Sequence, residues 1–202
     1  MSEAEQRIVS EGIAALTGRA AAAVADAYDF SRHRHLLDVG GGTGSFLVAI
    51  LRRHPSLAAT LFELPETAAV ARRMLRNTLE GARITIAEGD IFKGSPPRGA
   101  DVVLIANVAH IFLPERNQEL FRRVRSHVVN SARLLLLDMW TDPSHTSPQP
   151  APLMAGEFLL FAGEGDVYSA EEVQVWLRKT GWQPVEQISA LGANSMIVAE
   201  AV

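Results

Sequence analysis

The stretch "HLLDVGGGTGSF", residues 35–46, decides the fold. A short, mostly apolar run that is typical of a buried strand leads into a cluster of glycines, and an apolar pattern with helical spacing follows. Glycine lets a ligand approach the backbone closely because it has no Cβ, and it accepts positive φ angles without steric cost. A strand, a glycine loop and a helix in this order predict a βα unit that holds a ligand at its loop.

Further strand-like runs and helical patterns alternate along the chain after this unit. The runs lie at 57–63, 83–88, 101–107 and 133–140, and the helical patterns lie at 43–53, 65–79 and 114–129. Several of the runs are continuously apolar, which is typical of a parallel sheet covered on both faces. Strands that alternate with helices predict right-handed crossovers, so we expect an α/β protein with a doubly wound, mostly parallel sheet.

The two ends of the chain complete the expected order of elements. They are helices at 3–16 and 19–28, a loop at 141–152, helices at 153–162 and 168–181, and strands at 182–189 and 194–202. The helix at 168–181 has the clearest ends, because Ser169 and Glu172 form a capping box and Gly181 stands at its carboxyl-terminal stop. The last two strands predict an antiparallel hairpin that closes the sheet.

Composition and charge exclude several classes of function. The 202 residues suit one domain, and the net charge of −4 does not favour a nucleic-acid partner. The absence of cysteine excludes disulfides, thiolate metal sites and a catalytic cysteine. No apolar run approaches the ~20 residues of a membrane span, the first ten residues lack signal-peptide features, and the histidines show no metal-ligand spacing. We therefore expect a cytoplasmic protein without nucleic-acid or membrane partners and without a metal.

The spacing of the loop glycines distinguishes between classes of ligand. Gly40, Gly42 and Gly44 are spaced G-x-G-x-G, whereas the dinucleotide fingerprint G-x-G-x-x-G would need a glycine at Ser45. No Lys-Ser or Lys-Thr pair follows, which excludes a Walker A loop. The loop therefore predicts a ligand that lacks a pyrophosphate group.

Acidic residues after the next two strands complete the expected ligand site. Glu63 ends the second strand about 20 residues beyond the loop, where an acid accepts the hydroxyls of a ribose. Asp90 is expected to end the third strand, beside Ile91 and Phe92, so that its carboxylate faces an adenine amine and the apolar side chains pack on the ring. A glycine loop, a ribose acid and an adenine clamp indicate S-adenosylmethionine better than NAD.

Five motifs in order make the resemblance specific. They are "LLDVGGGTG" (36–44), "LFELPE" (61–66), "AEGDIF" (87–92), "NVAHIFLPERN" (107–117) and "GEGDVYSAEEVQVWLRKTGW" (163–182). In these motifs the chain resembles the S-adenosylmethionine-dependent small-molecule O-methyltransferases of the caffeic acid and hydroxyindole type, in particular their bacterial natural-product branch. The resemblance implies a class I methyltransferase fold with about seven strands. It also implies a helical lead-in at 1–30 and a methyltransferase domain at 31–202.

The resemblance implies roles for individual residues. The cofactor-binding set is Asp38, Gly40, Gly42, Gly44, Glu63, Leu64, Asp90, Ile91, Phe92 and Asn107. His110 stands where the family has its general base, and Asp138 stands where the family often has an acid that orients this base. A phenol has a pKa near 10 and a histidine near 6.5, so a histidine can take the acceptor's proton as its oxygen attacks the methyl group.

Departures from the family pattern fall in the catalytic half of the chain. The usual His-Asp-Trp reads "HIF" at 110–112, and Val167 replaces a second orienting glutamate, for which Asp166 or Glu164 are candidate substitutes. The family's amino-terminal dimerisation domain has no counterpart in this chain, whose first helices match only the linker, so a homodimer stays open. The acceptor pocket is expected to be walled by Met154, Phe158, Phe161 and Tyr168; alternatively the first three form a stripe that packs on the core.

Two other functions stay open at this point. In one, the chain is a module that binds the cofactor but catalyses little, because the "HIF" and "DVYS" motifs or the short chain spoil the acceptor site. In the other, less favoured by the loop spacing, it is an NAD-dependent oxidoreductase. Methylation of nitrogen or carbon, or a reaction other than methyl transfer, also occurs on such scaffolds.

Overall fold

A computed structural model describes residues 3–162, 164–191 and 193–202. In these residues the α-helices are α1 (Glu3–Ala27), α2 (Ser45–Arg53), α3 (Pro65–Leu75), α4 (Pro114–Arg125), α5 (Pro150–Ala162) and α6 (Ala170–Lys179). The strands are β1 (His35–Val39), β2 (Ala58–Glu63), β3 (Ile84–Glu88), β4 (Val102–Ala106), β5 (Arg133–Asp138), β6 (Trp182–Leu191) and β7 (Asn194–Ala201). Short 3-10 turns lie at Phe30–Arg32, Glu80–Arg83 and Ala109–Ile111.

The strands form one sheet in the order β3-β2-β1-β4-β5-β7-β6. The first five strands are parallel: Leu37 of β1, for example, lies opposite Thr60 of β2 on one side and Val103 of β4 on the other. β7 runs antiparallel to both β5 and β6. The expected doubly wound sheet with a carboxyl-terminal antiparallel hairpin is confirmed, and each strand lies within two residues of its predicted bounds.

Both faces of the sheet are covered, as the continuous apolar runs predicted. Leu36 and Leu37 are neighbours in β1 and point to opposite faces, yet both are buried. Leu36 belongs to a core beneath α1, α2 and α3, and Leu37 belongs to a core beneath α4 and α6. Two apolar layers therefore hold the strands in place, and the functional groups stand at their ends.

Several predicted helix bounds are wrong for identifiable reasons. The expected helices at 3–16 and 19–28 are one helix, because the alanine-rich part that follows Gly18 is buried against α2 and this packing keeps the helix continuous. α3 and α4 end four residues early, where Thr78 and Ser126 hydroxyls donate to last-turn carbonyls. α5 begins three residues early, because a helix accepts proline in its first turn.

The described helices do not include one with the length and apolar character of a membrane span.

Arg83 joins the end of α2 to the edge of the sheet. Its guanidinium donates to four backbone carbonyls that follow or end the helix, those of Leu51, His54, Pro55 and Leu57. Helix ends leave such carbonyls without partners, so one side chain satisfies a group that otherwise needs water. This contact fixes the connection from α2 to β2, and β2 carries Glu63 at its other end.

Replacing Arg83 tests this connection. Arg83→Ala is expected to lower the free energy of unfolding by about 2 kcal/mol, because hydrogen bonds from a charged donor are lost. Urea denaturation measures the change. The control is Arg98→Ala, whose exposed guanidinium donates to one carbonyl, that of Ser126, at 3.4 Å. We expect this control to lie within about 0.5 kcal/mol of wild type; equal losses in the two variants would contradict the role of Arg83.

Candidate functional site

A cleft of about 500 Å³ opens at the carboxyl ends of the parallel strands. It lies where β1 has β2 on one side and β4 on the other, which is the position where ligands bind in open α/β sheets. Of the ten predicted cofactor-binding residues, the cleft is lined by Gly40, Gly42, Glu63, Leu64, Asp90, Ile91, Phe92 and Asn107. Asp38 and Gly44 lie behind this wall.

The glycine loop leaves its backbone open to the cleft. Gly42 has a φ of 59°, a conformation that side chains rarely adopt, and a Cβ at Gly42 would meet no atom within 4 Å. At Gly41, in contrast, a Cβ would collide with the carboxylate of Asp38. Gly44 caps α2 and packs against Leu75. The loop backbone is therefore open to the cleft at Gly42, whereas Gly41 and Gly44 are packed tightly against Asp38 and Leu75.

Glu63 ties the end of β2 to this loop. One of its carboxylate oxygens accepts from the Gly42 N–H at 2.9 Å, and the other accepts from the Leu64 N–H at 2.7 Å. The residue is 9% exposed. Burial raises its pKa, and the two backbone donors act in the opposite direction. The predicted ribose acid thus stands at the cleft wall, held by backbone on both sides.

Asp38 is a buried residue beneath the glycine loop, and its carboxyl group is not hydrogen-bonded to the described residues. It is fully buried, and neither of its carboxyl oxygens has a hydrogen-bond partner among the described residues. Burial raises its pKa to about 8, and the charge of nearby Glu63 adds to this shift. Asp38 therefore keeps its proton at neutral pH, directly beneath the backbone of Gly41.

The predicted adenine corner forms in a turn beyond β3. β3 ends at Glu88, so the expectation that Asp90 ends the strand is wrong by two residues. Asp90 accepts from the Phe92 N–H at 2.8 Å, which is the main cause of its lowered pKa, and it pairs with Lys93 at 3.3 Å. The ring of Phe92 meets Phe112 edge to face, with centroids 5.0 Å apart. Two aromatic rings and a carboxylate therefore meet at one end of the cleft.

Asn107 begins the turn after β4. Its φ of 56° is in the left-handed region, and its N–H donates to the Leu137 carbonyl at 2.8 Å. Its side-chain oxygen accepts from the Asn194 amide at 2.6 Å. Contacts from β5 and β7 thus hold this residue at the cleft.

His110 and Asp138 come together as the sequence predicted. Nδ1 of His110 lies 2.7 Å from a carboxylate oxygen of Asp138, and the same oxygen accepts from the Met139 N–H at 2.9 Å. The second oxygen accepts from the His110 N–H at 3.3 Å. Asp138 is fully buried, whereas the His110 side chain is 11% exposed. The next residues, Ile111 and Phe112, line the cleft, so the pair stands beside it.

Asn117, which is not among the residues predicted from the sequence, fixes the turn that carries His110. Its side-chain N–H groups donate to the carbonyls of Ala109 at 2.8 Å and Phe112 at 2.9 Å, and the residue is fully buried. A signal was present: Asn117 lies at helical spacing from the apolar positions Leu120 and Val124 of α4. A polar residue on a buried helix face needs partners, and here the partners are turn carbonyls.

The segment 164–168 packs on the same turn. The Asp166 N–H donates to the His110 carbonyl at 3.1 Å, and a Cβ at Gly165 would collide with that carbonyl. The carboxylate of Asp166 accepts from the Val167 N–H at 2.7 Å, and Val167 is buried. Glu164 pairs with Arg116 at 3.6 Å. A role for Asp166 or Glu164 in orienting His110 stays a prediction.

The expected acceptor wall needs a correction. Tyr168 is 4% exposed, its hydroxyl donates to the Phe112 carbonyl at 2.7 Å, and its ring packs on Trp176. Burial raises its pKa well above the ordinary value. Tyr168 therefore belongs to the core instead of the pocket. Met154 is half-buried on α5, which contacts the turn Ala109–Ile111; the side chains of Phe158 and Phe161 lie outside what the structure describes.

α1 also contributes to the cleft, which the sequence did not predict. Val9, Ile13 and Thr17 line it. The Thr17 hydroxyl lies 3.4 Å from that of Ser45 at the start of α2. These residues are separated from the glycine loop by more than 20 positions, and no motif marks them.

The chain is similar in sequence and in fold to known proteins. The family model described as an O-methyltransferase domain matches residues 1–183. A mitomycin biosynthesis 6-O-methyltransferase from Streptomyces lavendulae is 34% identical over 88% of this chain and 49% of its own. Aclacinomycin 10-hydroxylase RdmB from Streptomyces purpurascens is 45% identical over 57% of this chain and 31% of its own. The solved structure of PigF with SAH superposes with a TM-score of 0.92 at 26% identity, over 98% of this chain and 59% of that one.

The chain spans about half the length of the curated relatives it matches.

Asn117 gives the first testable consequence of this geometry. Asn117→Ala is expected to lower the free energy of unfolding by about 2 kcal/mol, because the carbonyls of Ala109 and Phe112 each lose one of their two hydrogen bonds and the alanine leaves the buried amide's space empty. Urea denaturation measures the loss. Gln118→Ala is the matched control, since among the described residues the Gln118 side chain donates only to the Pro114 carbonyl of its own helix, at 3.3 Å. Similar losses in both variants would show that Asn117 has no particular part in holding the turn.

Asp38 gives a second consequence, which depends on pH. Its pKa rises from an ordinary 3.8 to about 8 on folding, so the folded state binds the proton more tightly and stability falls as pH rises through this window. Asp38→Asn removes this contribution. Between pH 5 and pH 8 we expect wild type to lose at least about 1 kcal/mol more stability than the variant, measured by urea denaturation. Parallel profiles would exclude a protonated Asp38.

Proposed function

The chain belongs to the O-methyltransferase domain family, and from this premise we propose that it binds S-adenosylmethionine in the cleft and methylates a hydroxyl of a small aromatic molecule, with His110 as the general base. One observation carries the proposal. A histidine held by a buried carboxylate, His110 on Asp138, stands beside a cleft that is bounded by an open glycine loop and by Glu63.

The residues present fit this cofactor. The loop at Gly40–Gly42 offers backbone without side chains to the amino acid part, and Glu63 offers a buried carboxylate to the ribose hydroxyls. Asp90 and Phe92 offer an acceptor and an apolar face to the adenine. Asp38 adds an unpartnered carboxyl beneath the loop, where a positive charge on a ligand would favour its ionised form. When bound, S-adenosylmethionine supplies an electrophilic methyl group on a sulfonium.

Asp138 sets the proton position on His110. Because the carboxylate accepts from Nδ1, it holds the proton there and leaves Nε2 as the basic nitrogen. A phenolic hydroxyl is mostly protonated at neutral pH, so Nε2 takes this proton as the oxygen attacks. The buried charge of Asp138 then stabilises the imidazolium that forms. General bases of this kind contribute ~10²–10⁴-fold in rate.

A second candidate function is hydroxylation of a small aromatic molecule on the same scaffold, with dioxygen as the source of the oxygen atom and an external two-electron reductant that reduces the second oxygen atom to water. The match to aclacinomycin 10-hydroxylase RdmB favours it, because its 45% identity exceeds the 34% identity to the mitomycin methyltransferase, although it covers less of the chain. Product mass separates the two reactions. Methylation adds one CH₂ to the acceptor, and hydroxylation adds one oxygen. Methyl transfer remains the favoured function because it is the activity named for the relative that matches more of the chain.

Titration calorimetry with S-adenosylhomocysteine tests the cofactor site. We expect micromolar binding and no binding of NADH. Glu63→Gln should weaken binding about ten-fold, because a neutral amide replaces the acid facing the ribose. Glu88→Gln is the matched control: Glu88 lies opposite Glu63 at the end of β3 and pairs with Arg72 away from the cleft. Equal effects in both variants, or a folded wild type that does not bind, would contradict the proposed site.

Variants of the catalytic pair test the chemistry. With labelled S-adenosylmethionine and a panel of phenols, His110→Ala should lower methyl transfer ~10²–10⁴-fold and leave the Kd of S-adenosylhomocysteine unchanged. Asp138→Asn should also lower the rate, because it no longer fixes the Nδ1–H tautomer. His127→Ala is the control, since in the described part of the chain the hydrogen-bond partners of the His127 ring are the Ser126 hydroxyl and the Arg123 carbonyl of α4. Unchanged turnover in His110→Ala would remove His110 from the role of base.

A further inference from the structure

Arg116, in the first turn of α4, stands between the adenine corner and the segment that packs on His110. Its guanidinium carbon lies 4.2 Å from the ring centroid of Phe92 and 5.0 Å from that of Phe112. The same guanidinium pairs with Glu164 at 3.6 Å. Arg116 is also part of the cleft wall. One side chain therefore contacts two rings of the cleft and the first residue of the segment 164–168.

Two later residues of this segment, Asp166 and Tyr168, are hydrogen-bonded to the turn that carries His110. The His110 carbonyl accepts from the Asp166 N–H, and the Phe112 carbonyl accepts from the Tyr168 hydroxyl. Because Gly165 has no Cβ, its backbone can lie against the His110 carbonyl. A shift of the segment would therefore change hydrogen bonds at both ends of the turn. The segment that pairs with Arg116 through Glu164 is therefore hydrogen-bonded to the turn that carries His110.

We propose that Arg116 is a positioning residue that links occupancy of the adenine corner to the position of His110. An adenine held against Phe92 restricts that ring, and the ring restricts the guanidinium stacked on it. The guanidinium then holds Glu164, and with it the hydrogen bond from Asp166 to His110. The inference rests on the proposed function, since it takes the ligand at Phe92 to be the adenosyl group of the cofactor.

The planar guanidinium suits both contacts at once. Its face stacks on an aromatic ring while its edge donates to a carboxylate, which a lysine ammonium cannot do in one geometry. An exposed ion pair alone contributes little, and the Arg116 side chain is 45% exposed. The two rings restrict the side chain, so that the pair with Glu164 forms with less loss of rotamer freedom.

Hydrogen exchange of the Asp166 amide, measured by NMR, tests the link. In wild type, saturating S-adenosylhomocysteine should slow this exchange about five-fold, although Asp166 does not line the cleft. Glu164→Gln breaks the ion pair but keeps the stack, so it should bind the ligand within about two-fold of wild type and show little slowing at Asp166. Arg116→Gln loses both contacts; it should bind about three- to ten-fold more weakly and also show little slowing.

Arg123→Gln is the matched control. Arg123 lies on the same helix and pairs with Glu119 at 2.8 Å; it touches the turn beyond β3 only at the Gly94 carbonyl, at 3.5 Å, and the ring contacts given for Phe92 in the described residues do not include it. This variant should keep the wild-type affinity and the full slowing at Asp166. If Arg116→Gln or Glu164→Gln also keeps the full slowing, or if wild type binds the ligand without any slowing, the link is overturned.

A ligand-free measurement separates this inference from the proposed function. Without ligand, Arg116→Gln and Glu164→Gln should speed exchange at Asp166 about two- to five-fold over wild type, and Arg123→Gln should not. If wild type fails to bind S-adenosylhomocysteine, the proposed function fails, and this comparison still decides whether Arg116 anchors the segment. Unchanged exchange in both variants would show that it does not.

Discussion

The site exists because the strand order reverses beside β1. β1 pairs with β2 on one side and with β4 on the other, so the connections that leave β1 and β4 diverge and a crevice opens between them. The glycine loop follows β1, and the turn with His110 follows β4. Each functional group reaches the crevice because the strand before it ends at the same edge of the sheet. The two covered faces of the sheet hold these ends in register.

On both sides of the crevice, a carboxylate at the end of one strand accepts hydrogen bonds from the loop that follows the neighbouring strand. Glu63, at the end of β2, accepts from the N–H of the next residue and from Gly42 in the loop after β1. Asp138, at the end of β5, accepts from the N–H of the next residue and from His110 in the turn after β4. In each case a carboxylate at a strand end holds the loop of the adjacent parallel strand. Asp38, which lacks such donors, has a raised pKa and keeps its proton instead.

Some of the site residues could be predicted from the sequence, and others could not. Glu63, His110 and Asp138 stand at or just after strand ends, and a continuous apolar run marks each strand, so their meeting at one edge follows from topology. The spacing of Asn117 indicates that its side chain is buried, but it does not identify the turn carbonyls that accept from it, and no spacing indicates that Arg116 stacks on the ring of Phe92. Tyr168 looked like a pocket residue because aromatic side chains suit both a pocket and a core. The contact that decides between them, with the Phe112 carbonyl, spans 56 positions.

Amide NMR shifts on titration with S-adenosylhomocysteine test the central claim most directly. The N–H groups of Gly42 and Leu64 donate to Glu63, and that of Phe92 donates to Asp90, so a ligand on these carboxylates must perturb all three. We predict large shifts at these amides and none at Gly181, which lies at the far end of α6. Shifts elsewhere with these three amides unmoved would contradict an adenosyl cofactor in this cleft.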